Sequence, residues 1–225
     1  MLVREWRFPL SFPGTIIDIE TTEKEATAGE LITFGFFSAE AIRVYQRIDS
    51  SKKGRAEFDS LVRSAFNFLP RPYYAFHAEF ETSWLGIKFD HDLFKKWSSF
   101  ADRHKKCEKH GWKLVKPEEW NCPSCNQPFR SRLKWPKLSE LVSMPHAYYG
   151  TEIEATGEEI PLVWNEFRKT GEQALLLKII YHNVYDLIRS ACLILWDETI
   201  LDLMSDILKL EKVKPRTLRE EAENK

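Results

Sequence analysis

Gly14 to Thr22 reads GTIIDIETT, a short run rich in β-branched residues that opens after Pro13-Gly14, and it predicts a strand. Side chains on a strand alternate between its two faces, so Asp18 and Glu20 project together while Ile17 and Ile19 point into a core. Two carboxylates on one face repel each other. Flanked by isoleucines, the pair is best tolerated where a divalent cation neutralises it, because hard cations such as Mg²⁺ or Mn²⁺ take oxygen ligands. An isolated Asp-x-Glu fits a solvated edge strand at least as well, so the deciding context comes from the rest of the chain.

Leu31–Ser38 and Ala41–Ile48, separated by Ala39-Glu40, predict two further strands and an antiparallel meander of three. Arg55 to Leu69 then spaces Phe58, Leu61, Val62, Ala65, Phe66 and Leu69 at helical intervals, and Pro70 and Pro72 stop it. Tyr73 to His77 predicts a fourth strand, and Glu79 to Leu85 begins another helix. Three strands, helix, strand, helix is the order that an α/β fold of the RNase H-like kind requires, a mixed sheet flanked by helices; other α/β folds share it. From Ala101 to Arg132 the hydrophobic period is lost, and helical patterning resumes at Lys137 with KLSELVSM. Ile160–Arg168 predicts a helix ended by Gly171, and Gln173–Trp196 is apolar nearly all round, the mark of a buried helix. The expected organisation is an α/β domain over 1–100 and 133–212, a small inserted module over 101–132, and a flexible charged tail over 213–225.

The 225 residues, 43% hydrophobic and 13% aromatic, are ample for a sizeable core, which argues against disorder. No stretch approaches eighteen consecutive apolar residues and the N-terminus lacks a signal-peptide pattern, so a soluble cytoplasmic protein is expected. Charge is unevenly spread. Lys95 to Lys137 holds twelve Lys or Arg against four Asp or Glu, about +8, and the remainder carries about −9. Such a block suits a polyanionic partner, though a solvated lysine-rich loop would look the same.

A second acidic group lies near the other end of the domain. On the buried helix His182 and Asp186 are four apart and stack on one face, with Tyr181 and Asn183 beside them. A carboxylate and an imidazole on so apolar a helix are costly without a partner, and Asp18 and Glu20 with a bound metal are the natural one. In FHAEFETSWL, Phe76 to Leu85, Phe80, Trp84 and Leu85 face a core; Glu81 could point back to the strand acids, with Glu79 the rival, and either acid also suits a helix start.

Three of the four cysteines fall within nineteen residues. Cys107-x2-His110 and Cys122-Pro-Ser-Cys125 supply four ligands in two pairs, the set that tetrahedral structural Zn²⁺ needs, with His104 as a fallback and Cys192 too distant. Around them lie Lys105, Lys106, Lys109, Lys113, Lys116, Arg130, Arg132 and Lys134, interleaved with Trp112, Trp120, Phe129 and Trp135. Cations neutralise phosphates and aromatics stack on unpaired bases, so the module suits single-stranded nucleic acid; the tryptophans would equally serve as its own small core.

IIDIETT resembles the first motif of the DEDD, DnaQ-like exonuclease superfamily, and FHAEFETSWL resembles its second. GEEIPLVWNEFRKTGEQALLLKIIYHNVYDL, Gly157 to Leu187, is similar to the C-terminal part of the YprB-like RNase H-like domain. The resemblance implies a 3′-to-5′ exonuclease acting on DNA or RNA by two-metal hydrolysis. Asp18, Glu20, Glu81 and Asp186 would bind Mg²⁺ or Mn²⁺, and His182, or Tyr181 in its place, would handle the attacking water. Glu81 stands where the family has Asp. That departure, with the Asn missing from the second motif, leaves open a catalytically weakened RNase H-like binding protein; a zinc-dependent interaction adaptor is the reading without nucleic acid.

Overall fold

The computed structural model describes residues 1–98, 104–114, 119–129, 131–132, 137–142 and 156–195. The expected tail over 213–225 lies outside the described residues, as do Lys116, Arg130, Lys134 and Trp135.

Strand β1 (Leu2–Thr21) begins twelve residues before the predicted Gly14. Pro9 and Pro13 argue against a strand through this stretch, but both fall where the register shifts, between Arg7 and Phe12 and between Phe12 and Thr15. Bulges are where a strand tolerates proline. β2 (Leu31–Gln46) covers both predicted meander strands, the second ending at Gln46, two residues short of the expected Ile48. It doubles back at Ala39, whose φ is +51°. The Arg47 amide returns to donate to the Ile32 carbonyl at 2.9 Å, Thr33 Oγ1 donates to Gln46 Oε1 at 2.6 Å, and the Tyr45 ring stacks beside Phe34 and Phe36.

The second half of β1, from Thr15, pairs antiparallel with the outgoing arm of this hairpin, and the first half, Leu2 to Arg7, pairs with the returning arm. β3 (Tyr73–Ala75) runs parallel to β1, and β4 (His91–Asp92) parallel to β3. The result is a six-strand mixed sheet. Gly14, at φ +96°, lets β1 pass the Pro70–Pro72 segment: a Cβ there would sit 2.4 Å from the Pro72 carbonyl oxygen. Thr15 then donates to that oxygen through its amide at 2.9 Å and to the Pro70 carbonyl through its hydroxyl at 2.7 Å.

Helix α1 (Lys52–Ala65) starts earlier than predicted because the Ser51 hydroxyl caps it, accepting from the Gly54 amide at 3.0 Å. It also ends earlier, and Phe66 to Leu69 continue as turns that still bury Leu69. α2 (Ala78–Leu85) closes on Gly86 at φ +67°, α3 (Leu93–Ser98) and α4 (Leu138–Leu141) are short, and α5 (Ile160–Thr170) ends on Gly171 at φ +73°, as expected. α6 (Gln173–Leu195) is the long buried helix.

Alternation along β1 feeds two cores. Ile16 packs with Phe37, Ile42, Val44 and the Ile180, Val184, Leu187 and Ile188 side of α6. Ile17 and Ile19 face the other way, onto Phe58, Val62 and Ala65 of α1. Each such aliphatic side chain contributes about 1.5–3 kcal/mol on burial. α6 and α1 thus cover opposite faces of the sheet. β5 (His104–Cys107), β6 (Gly111–Leu114) and β7 (Ser131–Arg132) form a separate three-stranded sheet in the order β6-β5-β7. Among the described residues no helix is long and apolar enough to cross a membrane.

Candidate active site

Three elements bring the predicted acids together. Asp18 and Glu20 point from β1 to the α6 face, α6 presents His182 and Asp186, and Glu81 enters from the first turn of α2. All five line one cleft of about 720 Å³, with Phe76, His77, Phe80 and Pro161 among its apolar and aromatic walls. A second hollow of about 530 Å³ shares Phe76, His77, His182 and Asp186 and adds Lys137 and Arg189.

The geometry separates the rivals left open by the sequence. Glu81 is 3% exposed and its Oε2 is buried without a hydrogen-bond partner. Glu79 is on the surface, paired with Lys95 Nζ at 2.5 Å. Three residues earlier or four later on α6 the side chain faces a similar direction, and His182 accordingly stacks over Asp186: its Nε2 lies 3.7 Å from Asp186 Oδ2 and 3.8 Å from Glu20 Oε1. Tyr181 instead stacks on Tyr185, with ring centroids 6.2 Å apart, against the α6 core.

Electrostatics in the cleft are unfavourable without a cation. Burial, followed by the charges of Glu20, Asp186 and Glu81, raises the Asp18 carboxyl well above its ordinary value. Burial likewise pushes Glu20 up to about 7, against the relief given by His182. Glu81 is raised mainly by burial, with Asp92 and Glu20 adding to it. Among the described residues, Asp186 also meets a guanidinium, Arg189 Nη1, at 2.7 Å. Among the described residues, the His, Cys, Asp and Glu side chains grouped closely enough to hold a metal ion are Cys107, His110, Cys122 and Cys125, and the acids of the cleft are not so grouped. The carboxylates therefore share a cleft without forming a closed ligand cage.

Two residues at the site were not foreseen in their roles. Asn183 is fully buried and its Nδ2 donates to Asp18 Oδ2 at 2.6 Å. Gly35, the partner of Asp18 across the strand pair, makes room for it: a Cβ at Gly35 would lie 1.8 Å from Asn183 Oδ1. The spacing of Asn183 next to His182 was visible in the sequence; the strand register that sets Gly35 opposite Asp18 was not.

In the three-stranded module the two ligand pairs meet. Cys107 and His110 flank the β5–β6 turn, where Cys107 pairs with Gly111. Cys122 and Cys125 flank a tight turn closed by the Asn126 amide donating to the Cys122 carbonyl at 2.7 Å. Cys107 Sγ lies 3.6 Å from His110 Nδ1 and 3.6 Å from Cys125 Sγ, and Cys122 Sγ lies 3.5 Å from His110 Nδ1. All four ligand atoms fall within 4.8 Å of one another, so the group could hold a metal ion. Burial opposes ionisation of Cys122, but the Ser124 amide, Cys107, His110 and the Cys125 amide outweigh it and bring the thiol down to about 6. The fallback His104, and the side chains of Trp112, Lys113 and Arg132, lie outside the described side chains. No protein-family model matches the chain, and no curated protein matches it in sequence.

Proposed function

We propose that the chain is a metal-dependent nuclease with an RNase H-like fold of the DEDD, DnaQ-like type, that it acts on DNA or RNA with single-stranded ends, and that it degrades from the 3′ end. The observation that carries this reading is the convergence of Asp18, Glu20, Glu81 and Asp186, from three separate elements, on one cleft that also holds His182. Buried carboxylates are retained at such cost where a counter-cation is bound, and the orphaned Oε2 of Glu81 is the kind of oxygen a cation takes up. Their all-oxygen chemistry fits Mg²⁺ or Mn²⁺.

Divalent cations held by these four acids would supply charge neutralisation and activation of water for phosphodiester hydrolysis. Water adds across the bond: its oxygen joins phosphorus, the P–O bond to the departing nucleotide breaks, and the leaving oxygen takes a proton from solvent. His182 receives the proton of the attacking water at Nε2, the atom that faces Glu20 and Asp186. Arg189 holds Asp186 and Asn183 holds Asp18.

In the module, zinc is the metal we assign. A tetrahedral site with Zn–S near 2.3 Å and Zn–N near 2.0 Å has ligand edges of roughly 3.5–3.8 Å, against the 3.5 and 3.6 Å separations here. Four protein ligands leave no open position, so the ion's role is structural.

A second reading has two features behind it: among the described residues the acids are not grouped closely enough to hold a metal ion by themselves, and Glu81 stands where the resembling family has Asp, which suits an RNase H-like binding protein with weakened catalysis. End-labelled single-stranded and duplex DNA and RNA, incubated with Mn²⁺ or Mg²⁺ and the intact chain or Asp18→Ala, decide between them. Cleavage lost in the variant supports the nuclease, and the product ladder gives its polarity. Binding without cleavage in every condition moves the reading to the binding protein.

A further inference from the structure

The cysteine module carries a feature that hydrolysis does not use. Trp120 stands two residues before Cys122, and the Phe129 amide donates to its carbonyl at 3.1 Å beside the Asn121–Pro128 bridge, so the two rings are mounted together at the base of the Cys122–Cys125 turn. Lys105 supports them from within. It is 2% exposed, donates through Nζ to the Glu119 carbonyl, and places that ammonium 5.2 Å from the Trp120 ring centroid and 6.0 Å from that of Phe129. Ammonium groups at this range are attracted to the ring faces, which fixes the indole in place. An indole that served as the module's own core would be covered, yet Trp120 is 66% exposed.

We propose that Trp120 is a stacking platform for an unpaired base of single-stranded nucleic acid. A rigid, outward-facing ring matches the flat face that every base presents, and the surrounding stretch from Lys95 to Lys137, at about +8, complements a phosphate backbone. A protein partner would ask for a contiguous apolar patch, whereas Trp120 is flanked along the chain by the polar Glu119 and Asn121, and Lys105 is followed along β5 by the exposed Lys106. This inference goes beyond hydrolysis and stands whether or not the chain cleaves.

The test is equilibrium binding of a fluorescent oligothymidylate to the full chain with zinc retained and no Mg²⁺ or Mn²⁺ added, at a series of salt concentrations. Trp120→Leu should weaken binding about fivefold to a hundredfold at every salt concentration, leaving the slope of log affinity against log salt unchanged. Trp120→Phe, which keeps a stacking face, should retain most of the affinity, and Lys106→Ala with Lys109→Ala should lower the slope instead. Zinc content is measured for each variant. The proposal is overturned if Trp120→Leu binds as tightly as the intact chain, if Phe and Leu at this position are equally weak, if affinity falls only where zinc is lost, or if the intact chain has no affinity for the oligonucleotide.

Discussion

Asp18 accepts a hydrogen bond from Asn183, and that contact depends on the absence of a side chain at Gly35. Gly35→Ala should force Asn183 off Asp18 and destabilise the fold by about 1–3 kcal/mol, read as a lower urea midpoint, with loss of any Mn²⁺-dependent cleavage. Unchanged stability in that variant would show that Asn183 has another place to go. Glu81 makes the opposite prediction for stability. Its carboxyl is buried and raised, so Glu81→Gln should raise the melting temperature of the metal-free protein at pH 8 while removing cation-dependent stabilisation; a lower melting temperature would mean that the carboxylate is satisfied in the fold. The acids were legible from residue type and spacing alone, because strand and helix periods place Asp18 with Glu20 and His182 with Asp186. The choices between Glu81 and Glu79, and between His182 and Tyr181, were not legible, since residues one or two apart on a helix differ only in which way the packed helix is turned.

At the scale of elements, the sequence revealed α5, α6 and the inner strands because their apolar periods and stop residues agree. It concealed the first half of β1, where two prolines sit at register shifts that only the partner strand defines, and it concealed β4, two residues long, which has no period to read. The ends of α1 were displaced because the Ser51 cap lies outside the apolar repeat. The cysteine module, with its own sheet, makes an element-scale prediction: Cys122→Ser should abolish bound zinc and open 104–132 to limited proteolysis, while α6 and the six-strand sheet stay protected. Cutting throughout the chain at the same protease dose would show instead that the two sheets depend on one another.

Across the whole molecule the acidic cleft couples stability to pH. The folded state raises Glu20 from about 4.5 to about 7, so it holds that proton more tightly than the unfolded chain does. The associated stability is fully present below pH ~4.5 and is lost as pH rises through ~7, and Asp18 and Glu81, also raised, act in the same direction. The metal-free protein should therefore melt several degrees lower at pH 8 than at pH 5, and added Mg²⁺ should stabilise it more at pH 8, where the acids are ionised to receive the cation. A melting temperature that climbs over this range without metal would mean that other groups dominate.

Everything proposed for the cleft rests on its taking up divalent cations, so the decisive experiment is a calorimetric titration of the zinc-loaded chain with Mn²⁺ at neutral pH. Saturable binding that Asp18→Ala and Glu81→Gln each weaken at least tenfold, with zinc content unchanged, is the expected result. A chain that takes up no Mn²⁺, or takes it up equally well without Asp18 and Glu81, would remove the metal centre and the hydrolytic mechanism built on it.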